Sequence, residues 1–160
     1  MFDLELAIHI AVMAHKGQKD WAGWPYITHP LRLMSKMETE ETKILAVLHD
    51  VLEDTECTED DLLKAGMPEN LLNSLKLLTR DNTRDSSDYE EYIAKISKDP
   101  LARKVKIADL EDNMSITRMP TNVIGRDVPR LSRYFNSWVT LKTVEDPFFK
   151  TVIGPKSGEQ

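Results

Sequence analysis

The sequence predicts an all-α fold, a single-domain bundle of about seven or eight helices. Apolar residues recur at steps of three and four along most of the chain, which is the period of an amphipathic helix. We find no stretch with the apolar–polar alternation of a half-buried strand. A chain of 160 residues forms one domain that can bury a core without a disulfide or a metal.

The first part of the chain contains three predicted helices. The first covers residues 3–16 and ends at Gly17, and a short second helix begins at Pro30 after a loop rich in glycine and aromatic residues. The third begins at Thr39 and is apolar on nearly all sides as far as Leu52. This third helix is therefore expected to be central and buried.

Caps and prolines mark the remaining helices. Thr58 and Asp61 fit a capping box at the start of a short helix, and Pro68 begins the next. A second capping pattern combines Ser87 with Glu90. The last two predicted helices begin at Pro100 and near Val128. We expect one domain over residues 1–145, followed by a polar C-terminal tail at 146–160.

The composition of the chain disfavours several classes of protein. The chain has 21 Lys and Arg against 27 Asp and Glu, a net charge of −6, which disfavours a nucleic-acid binder because such proteins neutralise phosphates. The single cysteine, Cys57, excludes an internal disulfide and fits a reducing compartment. No apolar run approaches the roughly 20 residues of a membrane span, and the N-terminus lacks the basic start of a secretory signal. We expect a cytoplasmic protein that binds neither nucleic acid nor membrane, with its oligomeric state left open.

A group of titratable residues interrupts the most apolar helix. His49 and Asp50 are adjacent there, and burying both costs free energy unless they are paired or bind a metal. Glu53 and Asp54 follow one turn later, which places them on the same face as the first pair. The alternative is a helix whose last turn is simply exposed to solvent.

Two other segments carry candidate ligands. His29 lies in a loop before a proline, where a histidine is more often a surface or capping residue. Asp109 lies in a largely apolar stretch with Asn113 one turn further along the same face. A structural salt bridge from Asp109 to Lys106 or Arg103 is the alternative to a ligand role.

Four strings resemble, in order and spacing, the HD superfamily of metal-dependent phosphohydrolases: AHKGQK (14–19), GWPYITHP (23–30), AVLHDVLEDT (46–55) and VKIADLEDNM (105–114). More narrowly, the chain is similar to the hydrolase domain of RelA/SpoT-type proteins and to the small alarmone hydrolases. The resemblance covers about residues 1–118. Because the chain is short, we expect the synthetase and regulatory regions of the long family members to be absent.

The resemblance implies a metal centre, two working carboxylates and a nucleotide substrate. It implies four ligands for one divalent metal, usually manganese in this family: His29, His49, Asp50 and Asp109. It implies that Glu53 and Asp54 serve the attacking water and the leaving group, and that Asn113 contacts the nucleotide. The family reaction removes the 3′-pyrophosphate from guanosine tetra- or pentaphosphate.

The chain departs from the family pattern where the base is held. A run of basic residues is usual there, but here Asp20 and Trp21 follow Lys19. Trp21 could stack on a base or pack against the bundle. Arg80 and Lys106 are further candidates for phosphate contacts, although such residues are more often solvated.

We therefore weigh three hypotheses. The first is a manganese-dependent hydrolase of ppGpp and pppGpp that releases pyrophosphate. The second keeps the metal centre but acts on a different nucleotide or phosphate ester. The third is a nucleotide-sensing module without turnover.

Overall fold

The computed structural model describes residues 1–80, 89–115, 117 and 128–149. Within these residues the chain forms nine α-helices: α1 Leu4–Ala14, α2 Thr28–Ser35, α3 Glu40–Leu48, α4 Val51–Asp54, α5 Glu59–Lys64, α6 Glu69–Leu78, α7 Tyr89–Ile96, α8 Pro100–Asn113 and α9 Val128–Glu145. The only β-type pairing in the described ranges is an isolated bridge between Lys19 and Pro25. The prediction of an all-α fold is confirmed.

The N-terminal helices lie close to their predicted positions. Asp3 caps α1 by accepting a hydrogen bond from the Leu6 N–H at 3.0 Å. The helix ends at Ala14, two residues before the predicted end. Gly17 then adopts a φ of 85°, a conformation that favours glycine, and turns the chain into the following loop. Pro30 lies in the first turn of α2.

The predicted third helix is divided into two, α3 and α4. Its first part is buried as expected, because residues 44–48 are almost fully shielded from solvent. The prediction of a continuous helix as far as Leu52 is wrong, since the helix is interrupted at His49 and Asp50. The His49 ring contributes to the interruption: its Nδ1 lies 2.9 Å from the Ala46 carbonyl oxygen, which a continuous helix would offer to the Asp50 N–H.

The predicted caps of the middle helices are present. Thr58 and Asp61 form a reciprocal capping box at α5, and Gly66 ends that region with a φ of 94°. Pro68 precedes α6 directly. Pro100 is the first residue of α8, as predicted.

Some sequence predictions lie outside the described residues. The second capping pattern depends on Ser87, which is one of them, and the C-terminal tail is described only as far as residue 149. The division into a domain at 1–145 and a tail at 146–160 stays a prediction.

Helix α3 lies at the centre of the fold. It packs against α1, α2, α6 and α8, and α9 packs against the outer side of α8. Its Leu45, Val47 and Leu48 have no exposed surface. Burial of each such side chain contributes about 1.5–3 kcal/mol, so the end of α3 is held firmly where α2 and α8 meet it. Every helix in the described part of the chain is too short or too polar to cross a membrane.

Candidate active site

The four predicted metal ligands converge beside α3. His29 comes from the first turn of α2, His49 and Asp50 from the break between α3 and α4, and Asp109 from α8. His29, His49 and Asp109 are 5% exposed or less. The packing of α2, α3 and α8 therefore brings three separate segments of the sequence into one buried cluster.

Short distances join the members of this His–Asp cluster. His49 Nε2 lies 2.8 Å from Asp50 Oδ2, and His29 Nε2 lies 3.3 Å from Asp109 Oδ1. The two remaining histidine–aspartate distances are 3.9 Å and 3.8 Å. His29, His49 and Asp50 offer ligand atoms that all lie within 4.8 Å of one another. Imidazole nitrogens with carboxylate oxygens are a donor set suited to a divalent transition metal.

The tautomers of both histidines follow from the partners of their other ring nitrogens. His29 Nδ1 lies 2.7 Å from an Asp112 carboxylate oxygen, and His49 Nδ1 lies 2.9 Å from the Ala46 carbonyl oxygen. Because these oxygens accept hydrogen bonds, each Nδ1 carries the hydrogen and donates it. Each Nε2 then directs a lone pair into the cluster, and the two Nε2 atoms are only 3.3 Å apart. A cation bound by both lone pairs would remove the repulsion between them, and the donors fit a divalent metal ion.

The electrostatics of the cluster favour a bound cation as well. Burial opposes protonation of His29, but hydrogen bonds to Asp109 and Asp112 raise the pKa of its imidazole to about 9. Burial opposes ionisation of Asp109, yet the Lys106 ammonium and His29 hold the pKa of that carboxyl well below its usual range. The cluster therefore attracts positive charge, as a proton or as a metal ion.

Three residues support the cluster and were not predicted from the sequence: Tyr26, Arg32 and Asp112. Arg32 Nε and Nη2 donate to the two carboxylate oxygens of Asp112, at 3.0 Å and 3.1 Å. The Tyr26 phenol donates a short hydrogen bond to Asp50. Tyr26 and Asp112 both lie inside the matched strings. A polar residue three positions after a predicted ligand on a buried helix could have identified Asp112.

The loop after α1 supports α4. His15 Nδ1 and Gln18 Oε1 are 2.7 Å apart, and Gln18 Nε2 donates to the carbonyl oxygen of Asp54 at 2.8 Å. Gln18 of the AHKGQK string thus holds the backbone of the AVLHDVLEDT string. This contact gives a structural reason for the two strings to occur together.

The two carboxylates predicted for catalysis lie beside the cluster. Glu53 Oε2 accepts a hydrogen bond from the backbone N–H of Arg80 at 2.9 Å, which fixes its side chain. Partial burial and the carboxylates of Asp50 and Glu53 raise the pKa of Asp54 to about 6. A carboxyl group with this pKa can give up a proton near neutral pH. The exposure of Asp54 also fits the simpler alternative of an acid at a helix end, whereas the fixed Glu53 does not.

A cavity of about 400 Å³ opens beside these groups. It is lined by all the residues predicted to bind substrate: Lys19, Trp21, Arg80, Lys106 and Asn113. Glu53 and Asp54 line it as well. The structure thus gathers the predicted site residues around one cavity, while their individual roles stay predictions.

Asp109 is held by two neighbours on its own helix. Lys106 Nζ lies 2.9 Å from one carboxylate oxygen, and Asn113 Nδ2 donates to the other at 2.6 Å. The salt bridge considered as an alternative therefore exists with Lys106. Arg103, the other partner considered, pairs instead with Glu145 at 2.7 Å. The ion pair does not exclude a ligand role, because the second oxygen still faces the histidines.

The outer rim of the cavity is a short hairpin, residues 19–25. The Asp20 N–H donates to the Trp24 carbonyl oxygen at 2.8 Å, and Asp20 Oδ1 accepts from the N–H groups of Ala22 and Trp24 at 3.0 Å and 2.9 Å. Trp21 is 65% exposed, and the Arg130 guanidinium lies 3.7 Å from its ring centroid. The acid therefore stabilises the turn, while the indole forms part of the cavity wall rather than of the core.

Helix α9 adds three cavity residues that the sequence did not reveal: Arg130, Arg133 and Tyr134. None of the four matched strings reaches α9, so its position against α8 had to come from tertiary packing. A cluster of basic and aromatic residues on one helix is too common in sequences to identify a site.

The helical bundle and its buried His–Asp cluster define the class of protein, an all-α domain of the HD type. No family model matches the sequence. Its relatives among curated proteins include the bifunctional (p)ppGpp synthase/hydrolase SpoT of Escherichia coli, 33% identical over 122 residues, which are 69% of this chain and 17% of the relative. A GTP pyrophosphokinase of Streptomyces antibioticus is 30% identical over 124 residues, 72% of this chain and 15% of the relative.

These similarities show that the chain is an HD-type domain of the kind found in RelA/SpoT-type proteins. It spans only 15% to 17% of the length of these curated relatives. Among solved structures, a metazoan ortholog of SpoT that hydrolyses ppGpp superposes with a TM-score of 0.72 at 21% identity, covering 94% of this chain and 95% of that one. This likeness confirms the all-α fold of the described residues.

Proposed function

We propose that the chain is a manganese-dependent 3′-pyrophosphohydrolase of guanosine 3′,5′-bis(diphosphate) and the corresponding pentaphosphate. The observation that carries the proposal is the pair of facing Nε2 atoms, 3.3 Å apart between two carboxylates, in an HD-type domain of this kind. His29, His49, Asp50 and Asp109 would hold the metal. When bound, a divalent metal supplies Lewis acidity and neutralises phosphate charge at neutral pH.

The chain's own groups support the remaining parts of the reaction. A water oxygen attacks the phosphorus attached to the 3′ oxygen, the bond between that phosphorus and the 3′ oxygen breaks, and pyrophosphate leaves. The 3′ oxygen must gain a proton, and the water must lose one. We assign to Glu53, which the Arg80 N–H fixes at 2.9 Å, orientation of the water and acceptance of its proton, and to Asp54 at the cavity edge the proton for the leaving 3′ oxygen.

The direct test incubates the purified protein with manganese and guanosine 3′,5′-bis(diphosphate) and measures release of GDP and pyrophosphate. Chelation followed by addition of manganese, magnesium or zinc identifies the metal, and we expect manganese to restore the highest rate. Absence of turnover in metal-replete protein would refute the proposal and favour a nucleotide-sensing module.

A second candidate, hydrolysis of a different nucleotide, is favoured by one observation. Asp20 uses a carboxylate oxygen to hold the hairpin, and the exposed Trp21 ring, with the Arg130 guanidinium over it, forms that part of the wall. Stacking is nearly indifferent to the identity of a base. A panel of guanine, adenine and dinucleotide phosphates, assayed at equal metal concentration, separates the candidates: the second is excluded if the guanosine compound has the highest kcat/KM.

A further inference from the structure

A pair of guanidinium groups lies in the same cavity as the His–Asp cluster, and the mechanism above does not use either group. The Arg80 Cζ is 5.3 Å and the Arg133 Cζ is 5.1 Å from the ring centroid of Tyr89. All three residues line the cavity. Arg80 lies just after α6, Tyr89 is the first residue of α7 and Arg133 lies in the first half of α9, so the Arg80–Tyr89–Arg133 cluster is formed only in the folded chain.

Within the described residues, neither arginine has a carboxylate partner of the kind that Arg32 and Arg103 have. Arg32 is held by Asp112 at 3.0 Å, and Arg103 is held by Glu145 at 2.7 Å. In the described ranges, by contrast, no carboxylate lies within 4.0 Å of the guanidinium of Arg80 or Arg133. Two like charges on one aromatic ring repel each other, and an anion bound between their donors would remove that cost.

The cluster lies next to the His–Asp cluster and not within it. The rings of Tyr89 and Tyr92 are 5.7 Å apart, and Lys106 Nζ lies 5.4 Å from the Tyr92 centroid. The same ammonium is 2.9 Å from Asp109. Positive groups therefore extend along the tyrosines of α7 from the His–Asp cluster outward. Asp109 neutralises the Lys106 charge, whereas no carboxylate of the described residues pairs with either arginine.

We propose that the Arg80–Tyr89–Arg133 cluster binds the 5′-diphosphate of the nucleotide while the 3′-diphosphate lies at the His–Asp cluster. This inference rests on the proposed function, because it takes a substrate with two diphosphate groups. A guanidinium offers paired N–H donors that match phosphate oxygens, and stacking on an aromatic ring leaves those donors free at its edge. The subsite also supplies local positive charge that a chain of net charge −6 otherwise lacks.

A binding experiment tests the subsite without turnover. GDP, which carries only the 5′-diphosphate, and guanosine, which carries no phosphate, are titrated into metal-loaded protein. We expect GDP to bind at least about tenfold more tightly than guanosine, and this difference to fall to about twofold or less in Arg133→Met and Arg80→Met. An unchanged difference in both variants would overturn the proposal.

Lys142→Met is the matched control, since it removes the same charge from the same helix as Arg133. Lys142 lines a different cavity and faces Phe149, with its Nζ 6.0 Å from that ring centroid. It should retain the full difference between GDP and guanosine. An equal loss in Lys142→Met would mean that net charge alone is responsible and would also overturn the proposal.

Tyr89 provides a second pair of variants. Among the described residues its buried hydroxyl has no hydrogen-bond partner, so Tyr89→Phe keeps the ring and should keep the preference for GDP. Tyr89→Leu removes the ring and should reduce the preference as the arginine variants do. Thermal unfolding of each variant shows that it is folded, and Arg133→Lys, which keeps the charge but not the paired donors, should give an intermediate preference.

Turnover separates this inference from the proposed function. For guanosine 3′,5′-bis(diphosphate), Arg133→Met should raise KM about tenfold with little change in kcat, and for guanosine 3′-diphosphate it should change KM less than twofold. Equal increases for both substrates would overturn the subsite while leaving the proposed function intact. If wild-type protein hydrolyses neither compound, the proposed function fails and the GDP comparison alone decides the subsite.

Discussion

The inner and outer sides of the cavity are built in different ways. On the inner side, His29, His49 and Asp109 are at most 5% exposed and are held by hydrogen bonds to charged or backbone groups. On the outer side, Trp21 is 65% exposed and meets Arg130 across the rim. The inner side is therefore fixed by the core before any ligand binds, whereas the outer side comes from a loop and a peripheral helix. Under the proposed function, the first side would carry the chemistry and the second the choice of substrate.

The largest effect should come from removing an inner ligand. His49→Ala and Asp50→Ala should each abolish metal binding and reduce turnover by more than about 100-fold, because the remaining donors no longer surround the ion. Metal analysis of the purified variant and a pyrophosphate-release assay measure both quantities. The exposed His9 on α1 provides the control, and His9→Ala should change neither. Normal turnover by a metal-replete Asp50→Ala protein would remove the assigned role of the cluster.

A second change on the inner side should separate chemistry from metal binding. Glu53→Gln keeps an acceptor for the Arg80 N–H but loses the charge, so we expect unchanged metal content and a kcat lower by about 10²–10⁴-fold. Glu56→Gln, at an exposed neighbouring position, should behave as wild type. If Glu53→Gln matched wild type in kcat, the role of the carboxylates would have to be reassigned.

The supporting residues should produce an intermediate effect. Asp112→Asn weakens the acceptor of His29 Nδ1 and leaves Arg32 without its ion pair, so metal affinity should fall about 10–100-fold. Calorimetric titration of metal into chelator-treated protein gives this value. Glu145→Gln is the control, because it breaks the ion pair with Arg103 on α8, outside the cavity. It should leave metal affinity unchanged. If Asp112→Asn and Glu145→Gln had equal metal affinities, the Arg32–Asp112 ion pair would support the fold and not metal binding.

A change on the outer side should affect substrate binding more than chemistry. Trp21→Ala removes an aromatic surface worth about 1–3 kcal/mol to a stacked base, so KM should rise about tenfold while kcat stays within a factor of two or so. Trp24 is similarly exposed, at 66%, but does not line the cavity. Trp24→Ala should therefore leave KM unchanged. A large decrease in kcat for Trp21→Ala would erase the distinction between the two sides.

The smallest effect should come from a region that belongs to neither side. Hydrogen bonds from the Thr58 hydroxyl and N–H hold the pKa of Asp61 below its usual 3.8. The ionised carboxylate therefore stabilises the fold at pH values above 3.8. This stabilisation is lost as the pH falls through the lowered pKa of the folded state. Asp61→Asn should slightly reduce the thermal unfolding midpoint at neutral pH but not in strong acid, with unchanged turnover. Asp60→Asn, next to it without a capping role, should change the midpoint less.

The sequence predicted the helices and the inner side well because both depend on local patterns. His29, His49, Asp50 and Asp109 each lie in one of the strings that resemble the HD superfamily, and this resemblance, not their spacing, predicted that they converge. The break at the end of α3 could not be expected, because a continuous apolar pattern predicts a continuous helix. The donor that competes for the Ala46 carbonyl oxygen is a side-chain group, His49 Nδ1.

The outer side escaped prediction for a different reason. Arg130 and Arg133 reach the cavity only because α9 packs against α8, and no local pattern encodes that arrangement. Arg32 likewise has a partner far along the chain, at Asp112. Ion pairs between distant segments depend on tertiary geometry, which single-sequence patterns do not contain.

The hairpin at 19–25 has a consequence for how such a protein can change over time. Its turn is closed by backbone groups and by Asp20, so the side chains at positions 21 and 22 have no share in holding its shape. Substitutions there can alter what the rim contacts without disturbing the fold of the loop or the buried centre beneath it. Mutation can therefore change the surface of this tip while the buried His–Asp cluster is inherited unchanged.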